Sequence, residues 1–388
     1  MYKVHCMNNI ATVGTDQLGD GYELTSELDD ANAILVRSAK LHEVEFPKTL
    51  LAIARAGAGV NNIPLNRCAQ EGIVVFNTPG ANANAVKELV LAGMLLACRD
   101  IVGGIEWVHD NSDDPEVGKK AEKAKKQFAG HELAGKTLGV IGLGAIGANV
   151  ANAARALGMK VMGYDPYLSI NAAWSLDRSI KHVTDVNDIY AQADFITVHV
   201  PATDQTRGMV GRDDIARMKT GVVFVNYARD VLVDEQAMAE ALASGKVARY
   251  VTDFANPASA NMKNAIVTPH LGASTAEAED NCAIMAVNEL RDYIENGNVR
   301  NSVNFGAVDL GPIAGDGRIA IFHKNVQGMI GGITQVLAET DLNIENMANK
   351  SRGDNAYTLL EVTGKLDDSI AEKIAALDNV YRVRVITR

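Results

Sequence analysis

A glycine-rich turn constrains the fold of this chain more than any other feature of its sequence. The segment Gly142-Leu-Gly144-Ala-Ile-Gly147 closes an apolar run, Thr137 to Ile141, and opens a helical pattern. In such a turn the first glycine permits a tight bend, the second lets backbone N–H groups approach a pyrophosphate, and the third lets the helix pack closely on its strand. The pattern predicts a βαβ unit of a parallel sheet, with a dinucleotide bound at the helix N-terminus.

The strand after this helix ends in an acidic residue. A second apolar run, Lys160 to Tyr164, is followed by Asp165, 23 positions after Gly142. A carboxylate at this position accepts hydrogen bonds from ribose hydroxyls and repels a 2′-phosphate, so NAD is favoured over NADP. The strand, the helix and the acidic residue together argue against the alternative, a glycine-rich turn that binds nothing.

Composition excludes several functional classes. The net charge of −11 opposes binding to nucleic acid, and the basic cluster Lys119 to Lys126 is explained more simply as a solvated helix face. The four cysteines are scattered without a C-x-x-C pair, which favours free thiols in a reducing compartment and no metal site. No charged leader and no apolar stretch of about 20 residues is present, so we expect a soluble, cytoplasmic protein without a membrane partner.

The order of short strands and helical patterns predicts three domains in an α/β chain. Residues 1–98 and 285–305 are expected to form a discontinuous, flavodoxin-like α/β domain, and residues 99–284 a Rossmann-type doubly wound parallel sheet. The glycine-rich segment 306–317 has no periodic pattern and is predicted to be a linker. Residues 318–388 follow the order strand, helix, strand, strand, helix, strand, which predicts a separate α+β ferredoxin-like domain.

Residues just past the strand ends form the candidate site, because ligands of open parallel sheets bind outside the carboxyl ends of the strands. Arg229 follows one strand and offers a bidentate fork for a carboxylate. His270 follows another and titrates in the range that a proton shuttle requires. Taken singly, they fit an ion-pair residue and a hydrogen-bonded loop histidine, but their joint placement favours catalysis.

Several segments resemble the D-isomer-specific 2-hydroxyacid dehydrogenases in order and spacing: Gly57–Asn62, Asn77–Asn82, Gly142–Gly147, Asn226–Arg229 and Pro269-His270. The resemblance covers essentially the whole chain and implies a homo-oligomeric enzyme, a dimer or tetramer, that uses NAD. It implies that Arg229 binds the substrate carboxylate and keto oxygen, and that His270 accepts the hydroxyl proton. The cofactor residues are then expected to be Gly142, Gly144, Ala145, Ile146, Gly147, Asp165, Val200, Pro201, Tyr227, Ala228, Asp253, Gly272 and Ala273.

Cations and backbone donors of the first domain favour a phosphorylated substrate. Together with the resemblance, this implies oxidation of 3-phospho-D-glycerate to 3-phosphohydroxypyruvate, the committed step toward L-serine, as the leading interpretation. An enzyme acting on another D-2-hydroxy acid is an alternative, and these arginines would then be surface residues unrelated to function. The candidate substrate-binding residues are Arg37, Ser38, Lys40, Arg55, Gly57, Ala58, Gly59, Val60 and Asn82.

The chain departs from the family pattern at three positions. Asp230 stands where the family has glycine after the arginine, and Asn61 stands where it often has aspartate. More importantly, no glutamate follows Asp253, although the family uses one there to orient the histidine. Asn256 or Asp253 is the nearest replacement, and both remain open. The missing glutamate gives some support to a third interpretation, an NAD(H)-sensing binding protein of the same fold.

The C-terminal segment resembles an ACT domain, a regulatory fold that binds amino acids between subunits. In related dehydrogenases the positions of His323, Asn325 and Asn343 hold the inhibitor L-serine, so serine is the expected effector. Gln327 replaces the proline that often precedes Gly328 in this fold. A module that serves only to drive dimerisation is the alternative.

Overall fold

The computed structural model describes residues 1–387, apart from the side chains of Asn171 and Asp368. Its contacts divide the chain into two compact units. One, the terminal unit, joins residues 1–81 with residues 279–388, and the other, the central unit, comprises residues 82–278. Among the described residues, no helix is both long and apolar enough to cross a membrane.

Residues 1–81 form a five-stranded parallel sheet of flavodoxin-like order, β2-β1-β3-β4-β5. The middle strands are continuous apolar runs because both faces of such a sheet are covered. The elements are β1 (Tyr2–Cys6), α1 (Thr12–Thr15), β2 (Tyr22–Thr25), β3 (Ala33–Val36), β4 (Ala52–Arg55), α2 (Leu65–Gln70) and β5 (Val74–Asn77).

The central unit is a seven-stranded, doubly wound parallel sheet, as the glycine turn predicts. Short 3₁₀ turns occur at Lys125–Gln127 and Asp230–Leu232. The elements are α3 (Ala83–Cys98), α4 (Ile101–Asp110), α5 (Val117–Ala124), β6 (Thr137–Ile141), α6 (Ala145–Ala156), β7 (Lys160–Tyr164), α7 (Ile170–Ser175), β8 (Lys181–His182), α8 (Val186–Gln192), β9 (Phe195–Val198), α9 (Arg212–Arg217), β10 (Val222–Asn226), α10 (Glu235–Ser244), β11 (Val247–Thr252), α11 (Pro257–Ala260) and β12 (Ala265–Val267).

The strand order of this sheet, β12-β11-β10-β9-β6-β7-β8, reverses direction between β6 and β9. Ligands of doubly wound sheets bind at this reversal, outside the carboxyl ends of the strands. Helix α3 shares the core of the central unit, where Val90 and Met94 pack with Leu138 and Val140. The contact pattern therefore groups α3 with the nucleotide-type sheet, whereas the sequence grouped it with the first domain.

Residues 317–387 form a four-stranded antiparallel sheet, β14-β15-β13-β16, with two helices. This βαββαβ order is the ferredoxin-like arrangement that the sequence predicts. The last elements are α12 (Ala276–Asn296), β13 (Gly317–Lys324), α13 (Met329–Ala338), β14 (Asn343–Arg352), β15 (Asn355–Thr363), α14 (Asp368–Ala375) and β16 (Val380–Thr387).

This C-terminal sheet shares an aromatic core with the rest of the terminal unit. The ring centroids of Phe322 and Phe305 lie 5.0 Å apart, and those of Phe322 and Tyr357 lie 4.8 Å apart. Phe76 of β5 and Tyr293 of α12 belong to the same buried cluster. Because buried aromatic area is a large apolar contribution to stability, the C-terminal sheet and the N-terminal sheet stabilise one another. The sequence instead predicted a separate C-terminal domain.

A fully buried arginine also joins these parts. The Nε of Arg318 donates to Glu361 at 2.7 Å, and its guanidinium donates to the carbonyls of Leu310, Gly311 and Pro312 at 2.7 to 3.0 Å. Val308 forms two backbone hydrogen bonds with Val299. Segment 306–317, which its glycine content predicts to be a linker, is thus tied to its surroundings, because a buried guanidinium requires acceptors and three of them are carbonyls of this segment.

Candidate active site

The glycine turn has the close backbone contacts that its sequence predicts. A Cβ at Gly142, whose φ is +89°, would lie 2.7 Å from the carbonyl oxygen of His199. A Cβ at Gly147 would lie 1.9 Å from the carbonyl oxygen of Gly142. Both distances are shorter than any side chain tolerates, so glycine is required for α6 to pack on β6. A Cβ at Gly144 would have no atom within 4 Å.

The open space at Gly144 lies at an uncapped helix N-terminus. Gly144 is the N-cap residue of α6, and no side chain caps the helix. Among the described residues, none accepts a hydrogen bond from the backbone N–H groups of Ala145, Ile146 and Gly147. These free donors and the helix dipole favour an anion, so the turn fits the pyrophosphate of a dinucleotide.

Asp165 is fixed at the end of β7 beside this turn. One of its oxygens accepts the N–H of Leu143 at 2.8 Å, and the other accepts the N–H of Tyr167 at 2.8 Å. Each carboxylate oxygen can accept a second hydrogen bond. The half-buried carboxylate therefore keeps capacity for ribose hydroxyls while its orientation is set by the backbone.

His199 is a residue of this site that the sequence analysis missed. It follows β9, its N–H donates to the carbonyl of Ile141 at 2.7 Å, and its Nε2 lies 3.0 Å from the hydroxyl of Thr197. Burial lowers the pKa of His199 to about 3, so the ring is neutral. The signal was present in the sequence, because His199 directly follows a strand at the point where the strand order reverses.

The other predicted cofactor residues lie on loops at the carboxyl ends of β9, β10 and β12. Tyr227 is buried against α3, since a Cβ at Gly93 would lie 2.6 Å from its hydroxyl oxygen. The remaining residues of this group are Val200 and Pro201 after β9, Ala228 after β10, and Gly272 and Ala273 after β12.

Arg229 is held by a turn that the side chain of Asn226 builds. The Oδ1 of Asn226 accepts the N–H groups of Ala228 and Arg229 at 3.1 and 3.3 Å, and its Nδ2 donates to the carbonyl of Arg229 at 2.8 Å. The Arg229 side chain is exposed and bonds the carbonyl of Ala228 at 2.6 Å. The carboxylate of Asp230 accepts the N–H of Val231 and so begins the 3₁₀ turn.

Asp253 and His270 lie on neighbouring strand ends. Asp253 is 1% exposed, and its Oδ2 accepts the N–H of Gly272 at 3.0 Å. Its Oδ1 is buried and has no partner among the described residues. Burial raises the pKa of Asp253, against smaller lowering effects of the Gly272 N–H and the His270 charge. The exposed imidazole of His270 packs edge-on to Phe254, with centroids 4.9 Å apart.

Asn256, the other candidate partner for the histidine, caps a helix and donates to a glutamate. Its Oδ1 accepts the N–H groups of Ala258 and Ser259 at 2.8 and 2.9 Å, which begins α11. Its Nδ2 donates to the carboxylate of Glu235. Both acceptor positions of the Asn256 oxygen are therefore used in capping α11, and one of its two amide hydrogens is used by Glu235.

The predicted phosphate-binding residues partly come together in the terminal unit. Nε of Arg55 donates to the carbonyl of Arg37 at 3.1 Å, and a Cβ at Gly57 would lie 1.7 Å from Nη1 of Arg55. Arg37 also forms an ion pair with Glu279 at 2.7 Å, which neutralises part of its charge. Ser38 and Lys40 are exposed on the following loop.

Two side chains that the sequence analysis missed accept hydrogen bonds from backbone N–H groups of this region. The Oδ1 of Asn8 accepts the N–H groups of Arg37, Ser38 and Ala39 at 3.0 Å each. The hydroxyl of Thr78 accepts the N–H of Gly57 at 2.7 Å. Both residues follow strand ends, β1 and β5, so the strand-end rule applied to the first domain would have found them.

The free donors of this segment are therefore Ala58, Gly59 and Val60. Among residues 1–387, no group accepts a hydrogen bond from their backbone N–H groups. In the central unit, Asn82 begins α3, and its carbonyl accepts the N–H of Val86 at 3.2 Å.

Within one copy of the chain, the predicted effector residues do not form one site. His323 pairs with Ala356 of β15, whereas Asn343 pairs with Thr363 of the same strand, roughly 23 Å away along the sheet. His323 is 2% exposed, and its ring nitrogens contact the Lys324 carbonyl and the Thr358 hydroxyl at 2.9 Å. The described residues hold no group of three metal-ligand side chains.

Comparison with known proteins identifies the class. Residues 91–272 match the model of the D-isomer specific 2-hydroxyacid dehydrogenase, NAD binding domain. The chain is 31% identical over 381 residues to a D-3-phosphoglycerate dehydrogenase of Haemophilus influenzae, covering 95% of this chain and 89% of that protein. The chain belongs to the D-isomer specific 2-hydroxyacid dehydrogenase family, and its central unit contains the NAD-binding domain of that family.

Two further similarities are consistent with this membership. A D-3-phosphoglycerate dehydrogenase of Methanocaldococcus jannaschii is 38% identical over 291 residues, covering 73% of this chain. The chain spans about half the length of several such relatives, 53% in this case. A solved structure of NAD⁺-bound 3-phosphoglycerate dehydrogenase from Entamoeba histolytica, 27% identical, matches with a TM-score of 0.62 over 78% of this chain and 98% of that one.

The two positions Gly147 and Gly144 give a matched prediction. Gly147→Ala should destabilise the protein and abolish NADH binding, because its methyl group would collide with the Gly142 carbonyl. Gly144→Ala should leave the melting temperature nearly unchanged and weaken NADH binding by at least tenfold, because its methyl group enters only the space for the pyrophosphate. NADH fluorescence titration measures the affinity of each variant, and thermal melting measures its stability. Full NADH affinity in both variants would contradict this location of the cofactor.

Proposed function

We propose that this protein catalyses the NAD-dependent oxidation of 3-phospho-D-glycerate to 3-phosphohydroxypyruvate. The observation that carries the proposal is the presence of Arg229, Asp253 and His270 after β10, β11 and β12, three adjacent strands of the sheet that also bears the glycine turn. The likeness to the Haemophilus influenzae protein over 95% of the chain supports the choice of substrate.

The exposed side chains of Arg229 and His270 have separate roles in the proposed reaction. The Arg229 guanidinium binds the substrate carboxylate and polarises the C2 oxygen, which gains double-bond character as the C2–H bond breaks. The His270 imidazole accepts the proton of the C2 hydroxyl. When bound, NAD would supply the acceptor for the hydride that leaves C2. Substrate oxidation thus releases one hydride to the cofactor and one proton to the histidine.

Asp253 is the residue that we propose as the electrostatic partner of His270. The side-chain oxygen of Asn256 caps α11, and its amide nitrogen donates to Glu235. The buried Oδ1 of Asp253, by contrast, has no partner among the described residues. The Gly272 N–H fixes the carboxylate on the loop that carries His270. A carboxylate so placed stabilises the imidazolium that forms during oxidation.

Phosphate recognition is assigned to the terminal unit. Arg55, Arg37 and Lys40 supply positive charge, and the N–H groups of residues 58–60 supply uncommitted donors. The Arg37–Glu279 ion pair competes with phosphate for one of these cations. Arg55, whose guanidinium lies over Gly57, is the residue that we choose to test for phosphate binding.

Initial rates of NADH formation test this function. The rate with 3-phospho-D-glycerate should exceed the rates with D-glycerate and D-lactate at matched concentration. Arg55→Ala should lower kcat/KM for the phosphorylated substrate by about 10- to 150-fold, the equivalent of about 1.5–3 kcal/mol for a charged hydrogen-bond partner. Lys119→Ala, an exposed lysine of α5, is the control. An equal loss for D-glycerate would remove Arg55 from phosphate recognition, and a preference for D-lactate would favour the alternative substrate.

The pH profile tests the role of Asp253. Oxidation requires neutral His270, so kcat/KM should rise with pH along one limb that reports the histidine. A nearby carboxylate stabilises the imidazolium, so its loss in Asp253→Asn should move the limb to lower pH. Asp165→Asn also removes a carboxylate, but it should raise KM for NAD without moving the limb. A limb at the same pH in folded Asp253→Asn would show that Asp253 does not act on His270.

Homo-oligomerisation is supported by an apolar surface on α4. Ile101, Val102, Ile105 and Val108 are each 40% to 53% exposed, and together they follow one side of a short helix. A second copy of the chain with the same surface would bury them symmetrically. We therefore propose a dimer or a larger assembly, whose size sedimentation equilibrium measures.

L-serine is the proposed effector, bound between two C-terminal sheets that act as ACT domains. β14 is an exposed edge strand of ten residues. Antiparallel pairing of two β14 strands would bring Asn343 of one copy to the far end of the other strand. There Asn325 donates to the Gly353 carbonyl at 3.1 Å. The two asparagines that one copy holds apart would then meet across the interface.

Inhibition by serine tests this arrangement. Millimolar L-serine should lower activity, and Asn325→Ala or Asn343→Ala should weaken the inhibition by about tenfold or more, equivalent to about 1.4 kcal/mol of coupling. Asn346→Ala, in the middle of β14, is the control and should remain inhibited. If calorimetry detects no serine binding and activity is unaffected, the C-terminal module is an assembly device or senses another molecule.

A further inference from the structure

A cleft lies in the terminal unit, along α12 and the segment after it. Its volume is 770 Å³, within the range of small-molecule sites. Polar walls are formed by Asn281, Asn288, Glu289, Asp292, Arg300 and Asn301. None of these residues is assigned to the cofactor, the substrate or the effector. We refer to this cavity as the Glu289 cleft.

Glu289 is the most unusual group in this cleft. It is only 8% exposed, and one of its oxygens accepts a hydrogen bond from the amide of Asn301. The other oxygen is buried and has no partner among the described residues. Burial raises the pKa of Glu289 to about 7. Buried polar atoms are nearly always hydrogen-bonded, so an unpaired carboxylate oxygen on a residue that lines a cavity is a candidate acceptor for a ligand in that cavity.

The charge balance of the cleft is negative. Arg300 is its only cation among the described lining residues, and its Nε lies 3.4 Å from Asp292 and 2.9 Å from Asp309. Asp292 also accepts hydrogen bonds from the amides of Asn296 and Asn298. The guanidinium is therefore already shared by two carboxylates, and Glu289 has no counter-charge. A cationic ligand would supply it.

The remaining walls determine what else the ligand must offer. Ile284 and Met285, on the same helix as Glu289, present half-buried apolar side chains to the cleft. Exposed Asn281 and Asn288 provide amide oxygens that accept from an ammonium group and amide hydrogens that donate to a hydroxyl or carbonyl. A molecule with an ammonium group and a short alkyl chain could contact both the polar and the apolar side chains of the cleft.

We propose that the Glu289 cleft binds a small primary amine, with the ammonium group donating to Glu289 and the alkyl chain lying against Ile284 and Met285. This inference does not depend on the proposed dehydrogenase activity. It is tested by binding alone, so that its failure would leave the catalytic assignment untouched.

The direct test is calorimetric titration of the full chain with 1,4-diaminobutane at pH 8 and physiological ionic strength. 1,4-Butanediol and succinate have the same chain length without the positive charge, and neither should bind. Glu289→Gln should weaken diamine binding at least tenfold. Glu295→Gln removes the same charge from the same helix outside the cleft, so it controls for general attraction to an acidic protein and should bind as the wild type does.

A second variant keeps the proposal testable if Glu289→Gln fails to fold. Met285→Trp retains Glu289 but fills the cleft, so it should lose diamine binding as well. The proposal is wrong if the diamine does not bind the wild type, if the diol binds equally, or if folded Glu289→Gln and Met285→Trp both bind as the wild type does.

The pH dependence of binding provides an independent readout. Asp292 and Arg300 are the other charged lining residues. Glu289, with its pKa raised to about 7, changes from mostly protonated to mostly ionised in that interval. Diamine affinity should therefore rise about tenfold in the wild type. It should stay flat in Glu289→Gln, and a flat wild-type profile would exclude Glu289 as the counter-charge.

Discussion

The contact between the backbones of Gly142 and Gly147 is the constraint on which the central unit depends. A Cβ at Gly147 would lie 1.9 Å from the Gly142 oxygen, so only glycine allows α6 to start directly above β6. This placement leaves the first N–H groups of α6 free and directs them to the point where the strand order reverses. Asp165, His199 and the residues after β10 to β12 are arranged around that point by the parallel sheet, so the chemistry follows from one packing contact.

The terminal unit depends on a different interaction, the buried ion pair of Arg318 and Glu361. Arg318 is fully buried and takes its acceptors from carbonyls of the segment before β13. Removing one partner of such a pair leaves an uncompensated charge in the interior. This pair holds segment 306–317 to the C-terminal sheet, and the shared apolar cluster of Phe76, Phe322 and Tyr357 packs that sheet with the N-terminal one. An effector bound by the C-terminal sheet would act on the same unit that carries Arg37 and Arg55.

Local patterns predicted much of this fold. The strands Thr137–Ile141 and Lys160–Tyr164 have the predicted bounds, and Arg229 and His270 follow strand ends as expected. The features that could not be predicted depend on contacts between side chains that are distant in the sequence. Asn8 occupies the N–H groups after β3, and Arg318 holds segment 306–317, which has the composition of a linker. Periodicity reports which face of an element is buried, but it does not report which distant residue covers that face.

The central claim is that this chain moves a hydride between a 2-hydroxy acid and NAD, and isotope transfer tests it most directly. 3-Phospho-D-glycerate deuterated at C2 would be incubated with the protein and NAD, and the reduced cofactor would be examined by mass spectrometry and proton NMR. The account predicts one deuterium at C4 of the nicotinamide ring and a slower hydride-transfer step than with the unlabelled substrate. Binding of NAD without any deuterium transfer, to this or another D-2-hydroxy acid, would contradict it and favour an NAD-sensing protein of the same fold.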